Sequence, residues 1–175
     1  IPIYEPGLEE LVANNCKAGR LTFSTSLAEA VPGADMVFIA VGTPSRRGDG
    51  FADLRYVYAA AEQVARNLTG YTTVVTKSTV PVGTGKEVAR IVGKFAPVEA
   101  EWDVVSNPEF LREGAAIEDF MRPDRVVMGA ESERAREQMR QLYRPLSLRE
   151  VPMVFTDIVT AELIKYAANA FLATK

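Results

Sequence analysis

Apolar residues in this chain occur either in compact runs or at helical spacing, and the two patterns alternate from end to end. Residues 35–41 form a compact run that stops at Gly42 and reads as a buried parallel strand. Residues 72–76, 102–105, 125–128 and 151–155 read as further strands, and 21–24 as a short one. Between them, Leu54, Val57, Tyr58, Ala61, Val64, Ala65 and Leu68 keep a period near 3.6, so 53–67 is predicted to be a helix with Asp53 as its N-cap. Residues 7–17 put Leu8, Leu11, Val12 and Asn15 or Cys16 on one stripe. Residues 85–95 form the next helix, and 132–143 a helix whose dense mixed charge marks a solvated face. Residues 157–175 hold neither glycine nor proline and read as a closing helix. Strands alternating with helices predict an α/β fold built on a doubly wound, mainly parallel sheet that ends in a long helix. The connection 44–53 is rich in Gly, Asp and Arg and reads as a loop.

Composition narrows the chemistry more than the fold. The chain has 175 residues, enough for one domain with an ordinary core. Its formal charge of -3 offers no basic surface for nucleic acid, and the local pair Arg46-Arg47 does not change that. It has no histidine and one cysteine, Cys16, so ordinary zinc sites, histidine acid–base chemistry and internal disulfides are excluded. No apolar run approaches a membrane span, and the start does not read as a signal peptide, so a cytoplasmic location is expected. The first residue is Ile1, which suggests a piece of a longer polypeptide. Cys16 lies far from the candidate motifs and reads as a small buried hydrophobe of its helix.

Four segments carry candidate chemistry. Ser106-Asn107-Pro108-Glu109-Phe110-Leu111-Arg112-Glu113-Gly114 follows a strand, and Pro108 stops the ladder where a helical turn could begin. On such a turn Glu109 and Glu113 would share a face at the carboxyl end of a strand, where α/β sheets bind ligands. The alternative is a solvated helix start, where acids favour the macrodipole. Gly42-Thr43-Pro44 and Ser78-Thr79 end two further strands at the same edge; their hydroxyls could bond a cofactor or simply close turns. Gly83-Thr84-Gly85 lacks the third glycine of a dinucleotide fingerprint, and Val80 and Glu87 break the P-loop pattern. It reads as a tight strand-to-helix turn, with a phosphate cradle as the second possibility. In the closing helix, Ala161, Leu163, Ile164, Ala167, Ala168, Ala170, Phe171 and Leu172 surround a narrow stripe of Glu162, Lys165 and Asn169. That stripe faces either water or a cleft, where ammonium and amide groups can hold an oxyanion and sugar hydroxyls.

Taken in order with Tyr4-Glu5-Pro6-Gly7-Leu8, Val41-Gly42-Thr43-Pro44-Ser45, Lys77-Ser78-Thr79-Val80-Pro81-Val82-Gly83-Thr84-Gly85 and Lys165-Tyr166-Ala167-Ala168-Asn169-Ala170-Phe171, these segments resemble the UDP-glucose/GDP-mannose dehydrogenase family over essentially the whole chain. The resemblance implies a partial Rossmann-like NAD-binding domain over 1–156, followed at 157–175 by the start of a long connecting and dimerising helix. Such enzymes oxidise the C6 hydroxyl of a nucleotide sugar to a carboxylate with two NAD, through a thiolate that traps the intermediate aldehyde. Carried onto this chain, Glu109 would activate or orient water with Thr79 beside it, Lys165 would stabilise the oxyanion, and Asn169 would be its amide partner. Gly42, Thr43, Pro44, Ser78, Thr79 and Glu113 would lie on the NAD side, and Glu109, Phe110, Leu111, Lys165 and Asn169 on the substrate side. No metal is implied.

The segment 77–84 looks most like the UDP-glucose branch, so the implied reaction is UDP-glucose to UDP-glucuronate, in a parent that is a homodimer. GDP-mannose and UDP-N-acetylmannosamine dehydrogenases are the alternatives within the family, and a non-catalytic nucleotide-binding α/β module is the alternative outside it. The family's first glycine-loop unit and its cysteine-bearing half have no counterpart in these residues, so the chain alone is expected to be inactive. Hydroxy-acid and short-chain dehydrogenases are excluded, since there is no histidine and no Tyr is followed by Lys four residues on.

Overall fold

The computed structural model describes residues 4–48, 50–147 and 151–174. Five strands, β1 (Met36–Ile39), β2 (Tyr71–Thr76), β3 (Glu101–Ser106), β4 (Val126–Ala130) and β5 (Met153–Thr156), form one sheet in the order β1-β2-β3-β4-β5. The helices are α1 (Leu8–Lys17), α2 (Leu27–Ala30), α3 (Arg55–Ala65), α4 (Thr84–Phe95), α5 (Ala116–Met121), α6 (Glu133–Ser147) and α7 (Ile158–Ala173).

The continuous apolar runs work as expected of strands covered on both faces. In β2, Val74 points into a core with α3 and α4, built on Val57, Ala61, Val64, Val88 and Val92. The next residue, Val75, points the other way, into a core with Met139 and Tyr143 of α6. Val104 and Val105 of β3 divide in the same manner. Each such side chain contributes on the order of 2 kcal/mol of burial. Helices therefore cover both faces, as a doubly wound sheet requires. Among the described residues no helix is long and apolar enough to cross a membrane.

Where the fold departs from the alternation is the β3–β4 pair. It is antiparallel, with Val105 opposite Ala130 and Ser106 opposite Gly129, while the other three pairs are parallel. A parallel return would have to carry the chain back along a strand of about 20 Å. The only helix of that connection, α5, rises about 9 Å. The segment between β3 and β4 consequently stays at the carboxyl edge of β3.

Some local expectations fail. Residues 21–24 are not a strand, and a single turn of helix, α2, follows them instead. Cys16 is exposed, because α1 buries none of its residues. Asp53 sits one residue before the α3 N-cap, Leu54, yet its carboxylate still accepts from the Arg55 amide at 3.1 Å and pairs with the Arg55 guanidinium. That pairing holds the Asp53 carboxyl down at about 2. Asp157 does cap α7, accepting from the Thr160 amide at 2.8 Å.

Candidate functional site

Two clusters form at the carboxyl edge of the parallel strands. The first joins the loops after β1 and β2. The Thr43 hydroxyl donates to the Thr79 carbonyl at 2.9 Å, and the Ser78 hydroxyl donates to the Val41 carbonyl at 2.6 Å. These hydroxyls therefore tie the two loops of the rim together. Gly42 is open: a Cβ built there meets nothing within 4 Å. Beside it lies a shallow hollow of about 460 Å³ lined by Gly42, Pro44, Tyr56, Ala60 and Gln63. An open glycine, neutral hydroxyls and a wide shelf fit an extended dinucleotide held by backbone and polar contacts.

The second cluster lies where the loop after β3 meets α7. Lys165, buried at 8% exposure, brings Nζ to 3.8 Å from Glu109 Oε1. The other carboxylate oxygen of Glu109 accepts from the Leu111 amide at 2.7 Å. The Phe110 ring lies between two cations, Lys165 at 5.2 Å and Arg125 at 5.0 Å from its centroid. Next to it opens a cavity of about 680 Å³, lined among others by Lys77, Asn107, Glu109, Phe110, Arg125 and Tyr143. Asn107 is fully buried and bonds three ways: Tyr143 donates to its Oδ1 at 2.5 Å, Lys77 donates to the same oxygen at 3.3 Å, and its Nδ2 donates to the Val127 carbonyl at 2.8 Å. Burial pushes the Tyr143 phenol up to about 12 and the Lys77 ammonium down to about 8.

Glu109 and Glu113 do not share a helical turn. Residues 107–112 are irregular because Glu109 bonds the amide two residues ahead, and α5 starts only at Ala116. Glu113 is exposed in the turn that leads to Gly114, whose φ is 81°. That turn is held from the start of the chain, since the Glu5 carboxylate accepts from the amides of Gly114 and Ala116, both at 2.8 Å. Asn169 stays on the stripe one turn beyond Lys165, but it is exposed.

Nor is the α4 N-terminus a phosphate cradle. Glu162 occupies it: Oε2 accepts from the Gly83 amide at 2.7 Å and Oε1 from the Gly85 amide at 2.6 Å. The internal carboxylate takes the donors a phosphate would need. Burial raises the Glu162 pKa, and the two amides and Lys86 oppose that rise. Sequence reading missed Lys77; a lysine directly after a strand at the ligand edge was the available signal. For the Glu162 contact there was none, because its partners lie far away in the chain.

Comparisons with known proteins bear on the family and the fold. Residues 1–147 match the UDP-glucose/GDP-mannose dehydrogenase family, NAD binding domain. A UDP-glucose 6-dehydrogenase of Rhizobium meliloti is 65% identical over all of this chain and 40% of its own length. The solved UDP-glucose dehydrogenase of Pyrobaculum islandicum is 49% identical, with a TM-score of 0.92 over 98% of this chain and 40% of that one. A GDP-mannose dehydrogenase from Pseudomonas aeruginosa reaches 0.87 at 35% identity, over 99% of this chain and 40% of that one. The chain thus spans about two-fifths of the length of the relatives it matches. With a mainly parallel α/β sheet of this topology and the family's NAD-binding domain matched over residues 1–147, the chain belongs to the UDP-glucose/GDP-mannose dehydrogenase family.

Proposed function

We propose that this domain serves the NAD-dependent oxidation of UDP-glucose to UDP-glucuronate in the whole protein. The observation that carries the reading is the meeting of Lys165 and Glu109 at the carboxyl edge, beside the cavity. Support for UDP-glucose over its alternatives comes from the 65% identity to the Rhizobium meliloti enzyme against 35% to the GDP-mannose dehydrogenase.

Gly42, Thr43, Pro44, Ser78 and Thr79 would hold NAD along the β1–β2 edge, with Glu113 on the same side. NAD held there would supply the hydride acceptor for the substrate carbon. Lys165 keeps its ammonium beside the reacting oxygen and stabilises negative charge on it, a donor fixed before the reaction begins. Glu109, held by the Leu111 amide, orients water, and Thr79 and Asn169 complete the polar lining. Phe110 and Leu111 lie along the sugar nucleotide. The one cysteine, Cys16, is exposed on α1 and serves no step here. The nucleophile therefore has to come from outside this chain, and the chain alone binds NAD without turning over substrate. α7 would begin the helix that connects and dimerises the whole protein, in the cytoplasm.

A pair of substitutions separates the two clusters. Lys165→Ala should lower turnover of the whole protein by about a hundredfold while leaving NAD affinity intact. Gly42→Val fills the open shelf and should weaken NAD binding about tenfold or more, with little change in melting temperature. Equal NAD binding by wild type and the Gly42 variant would remove the shelf from the cofactor site, and unchanged turnover of the Lys165 variant would remove the lysine from the reaction.

A further inference from the structure

α4 starts without a side-chain cap of its own: its N-cap is Gly83, and the amides there are satisfied by Glu162, 77 residues along the chain from Gly85. A Ser, Thr or Asn at the N-cap would do that work locally, without taking a charge out of water. The remote carboxylate does what a local cap cannot, because it ties the loop after β2 to α7. Thr79 lies in that loop, four residues before Gly83, and its carbonyl accepts from the Thr43 hydroxyl of the rim. Val80, next in the chain, is buried in the core, and the Thr84 hydroxyl donates back to the Pro81 carbonyl at 2.6 Å, so the loop is held along its length. At the other end of the tie, Lys165 follows Glu162 by three residues and shares its face of α7. The Lys165 ammonium is held only by long contacts, 3.8 Å to Glu109 Oε1 and 5.2 Å to the Phe110 centroid, so the seat of the helix has to place it. Glu162 sets that seat with hydrogen bonds of 2.7 and 2.6 Å, and Ile158 lies so close over Gly85 that a Cβ there would clash with it.

We propose that Glu162 is a positioning residue for the reaction: through the Gly83 and Gly85 amides it fixes Lys165 against the loop that carries Thr79, so that the ammonium and the β1–β2 rim keep one alignment. The inference rests on the function proposed above. A donor that stabilises developing charge works only from a fixed place, and a shift of about 1 Å is enough to cost about a hundredfold in rate. Stability alone would be served as well by a cap on α4 itself. A carboxylate at 2% exposure, spent on amides of another helix one turn before the proposed oxyanion donor, is better explained by the site than by the fold.

The test compares Glu162→Gln, Glu162→Ala and Leu68→Ala in the whole protein. Gln keeps the shape and one acceptor but turns an amide donor toward the other backbone N–H. Leu68→Ala empties the core just before the amino end of β2, the edge opposite the site, and controls for lost stability. Glu162→Gln should lower kcat about tenfold with KM for NAD unchanged, and Glu162→Ala should lower it further, whereas Leu68→Ala should lower the melting temperature and keep kcat. In a Lys165→Ala background, Glu162→Gln should cost no further turnover, because it acts through the lysine. A kcat that Glu162→Gln leaves alone, that Leu68→Ala lowers equally, or whose loss adds in full to that of Lys165→Ala makes Glu162 a structural cap and overturns the proposal. Hydrogen–deuterium exchange reads the tie without turnover: Glu162→Gln should speed exchange both at 79–86 and at 158–166, and a change confined to 79–86 overturns the proposal. Should Lys165→Ala turn over like wild type, the function proposed above falls, while exchange that quickens at both ends still supports the tie.

Discussion

The two halves of α7 obey opposite rules. In the first, the polar residues turn inward: Glu162 is 2% exposed and Lys165 8%. In the second, the apolar residues turn outward: Phe171 is 74% exposed and Leu172 72%. Hydropathy along the helix does not explain this, since the helix is apolar around most of its circumference. Contact explains it. The first half lies against bare backbone, where Gly129 leaves no room beneath Ile158 and Ala161, and Gly85 none beneath Ile158. At that range a carboxylate can reach the amides at the start of α4, and a buried carboxylate with two donors costs far less than one without. The second half is largely exposed, with Ala168, Phe171 and Leu172 on the wall of the open cavity beside Phe110. Close approach, and not apolar character, decides which side chains of this helix are inside.

The contrast can be broken from the packed side first. Gly129→Val would place a Cβ 2.7 Å from the Asp157 carbonyl and 2.8 Å from Ile158 Cα, and backbone cannot step aside. A loss of about 3 kcal/mol or more is expected in urea denaturation, at the upper end of overpacking costs. Should the variant keep its midpoint, α7 is not seated as described. Glu162→Ala leaves the Gly83 and Gly85 amides without their acceptor and should cost about 2 kcal/mol, with Glu162→Gln recovering part because its amide oxygen replaces one contact. Equal loss in both variants would make charge, and not the two hydrogen bonds, the source. The smallest effect belongs to the outer half, where Phe171→Ser should change the unfolding free energy of the chain by under about 0.5 kcal/mol. A larger loss would show that the outer half has a packing partner.

Most of the scaffold was legible because it follows local rules. Val74-Val75 and Val104-Val105 announce strands buried on both faces, and the spacing from Leu54 to Leu68 announces α3 and the residue that follows it into the core. The failures share a cause, which is competition from groups remote in sequence. Residues 21–24 had strand-like composition but pair with no strand among the described residues. Glu109 and Glu113 had the spacing of a helical turn, yet Glu109 bonded its own loop and Glu5 took the amides at the start of α5. The glycines at 83 and 85 make the tight turn into α4 that was expected, but the phosphate cradle that was the second possibility there is taken by Glu162. Of the candidate site, the identities of Lys165 and Glu109 were readable from the resemblance, their 3.8 Å approach was not, and Lys77 went unnoticed because a single lysine after a strand carries no periodicity.

The reversed direction of β4 also sets an order of assembly. β1, β2 and β3 with α3 and α4 close through successive crossovers between neighbours in the chain. The loop that bears Glu109 leads into β4, which turns back along β3, and it meets Lys165 only when α7 has docked. The contact between Glu109 and Lys165 joins residues further apart in the chain than any strand pairing of the sheet, which slows its closure on entropic grounds. The meeting of Glu109 and Lys165 is accordingly complete only once α7 lies in place on the sheet.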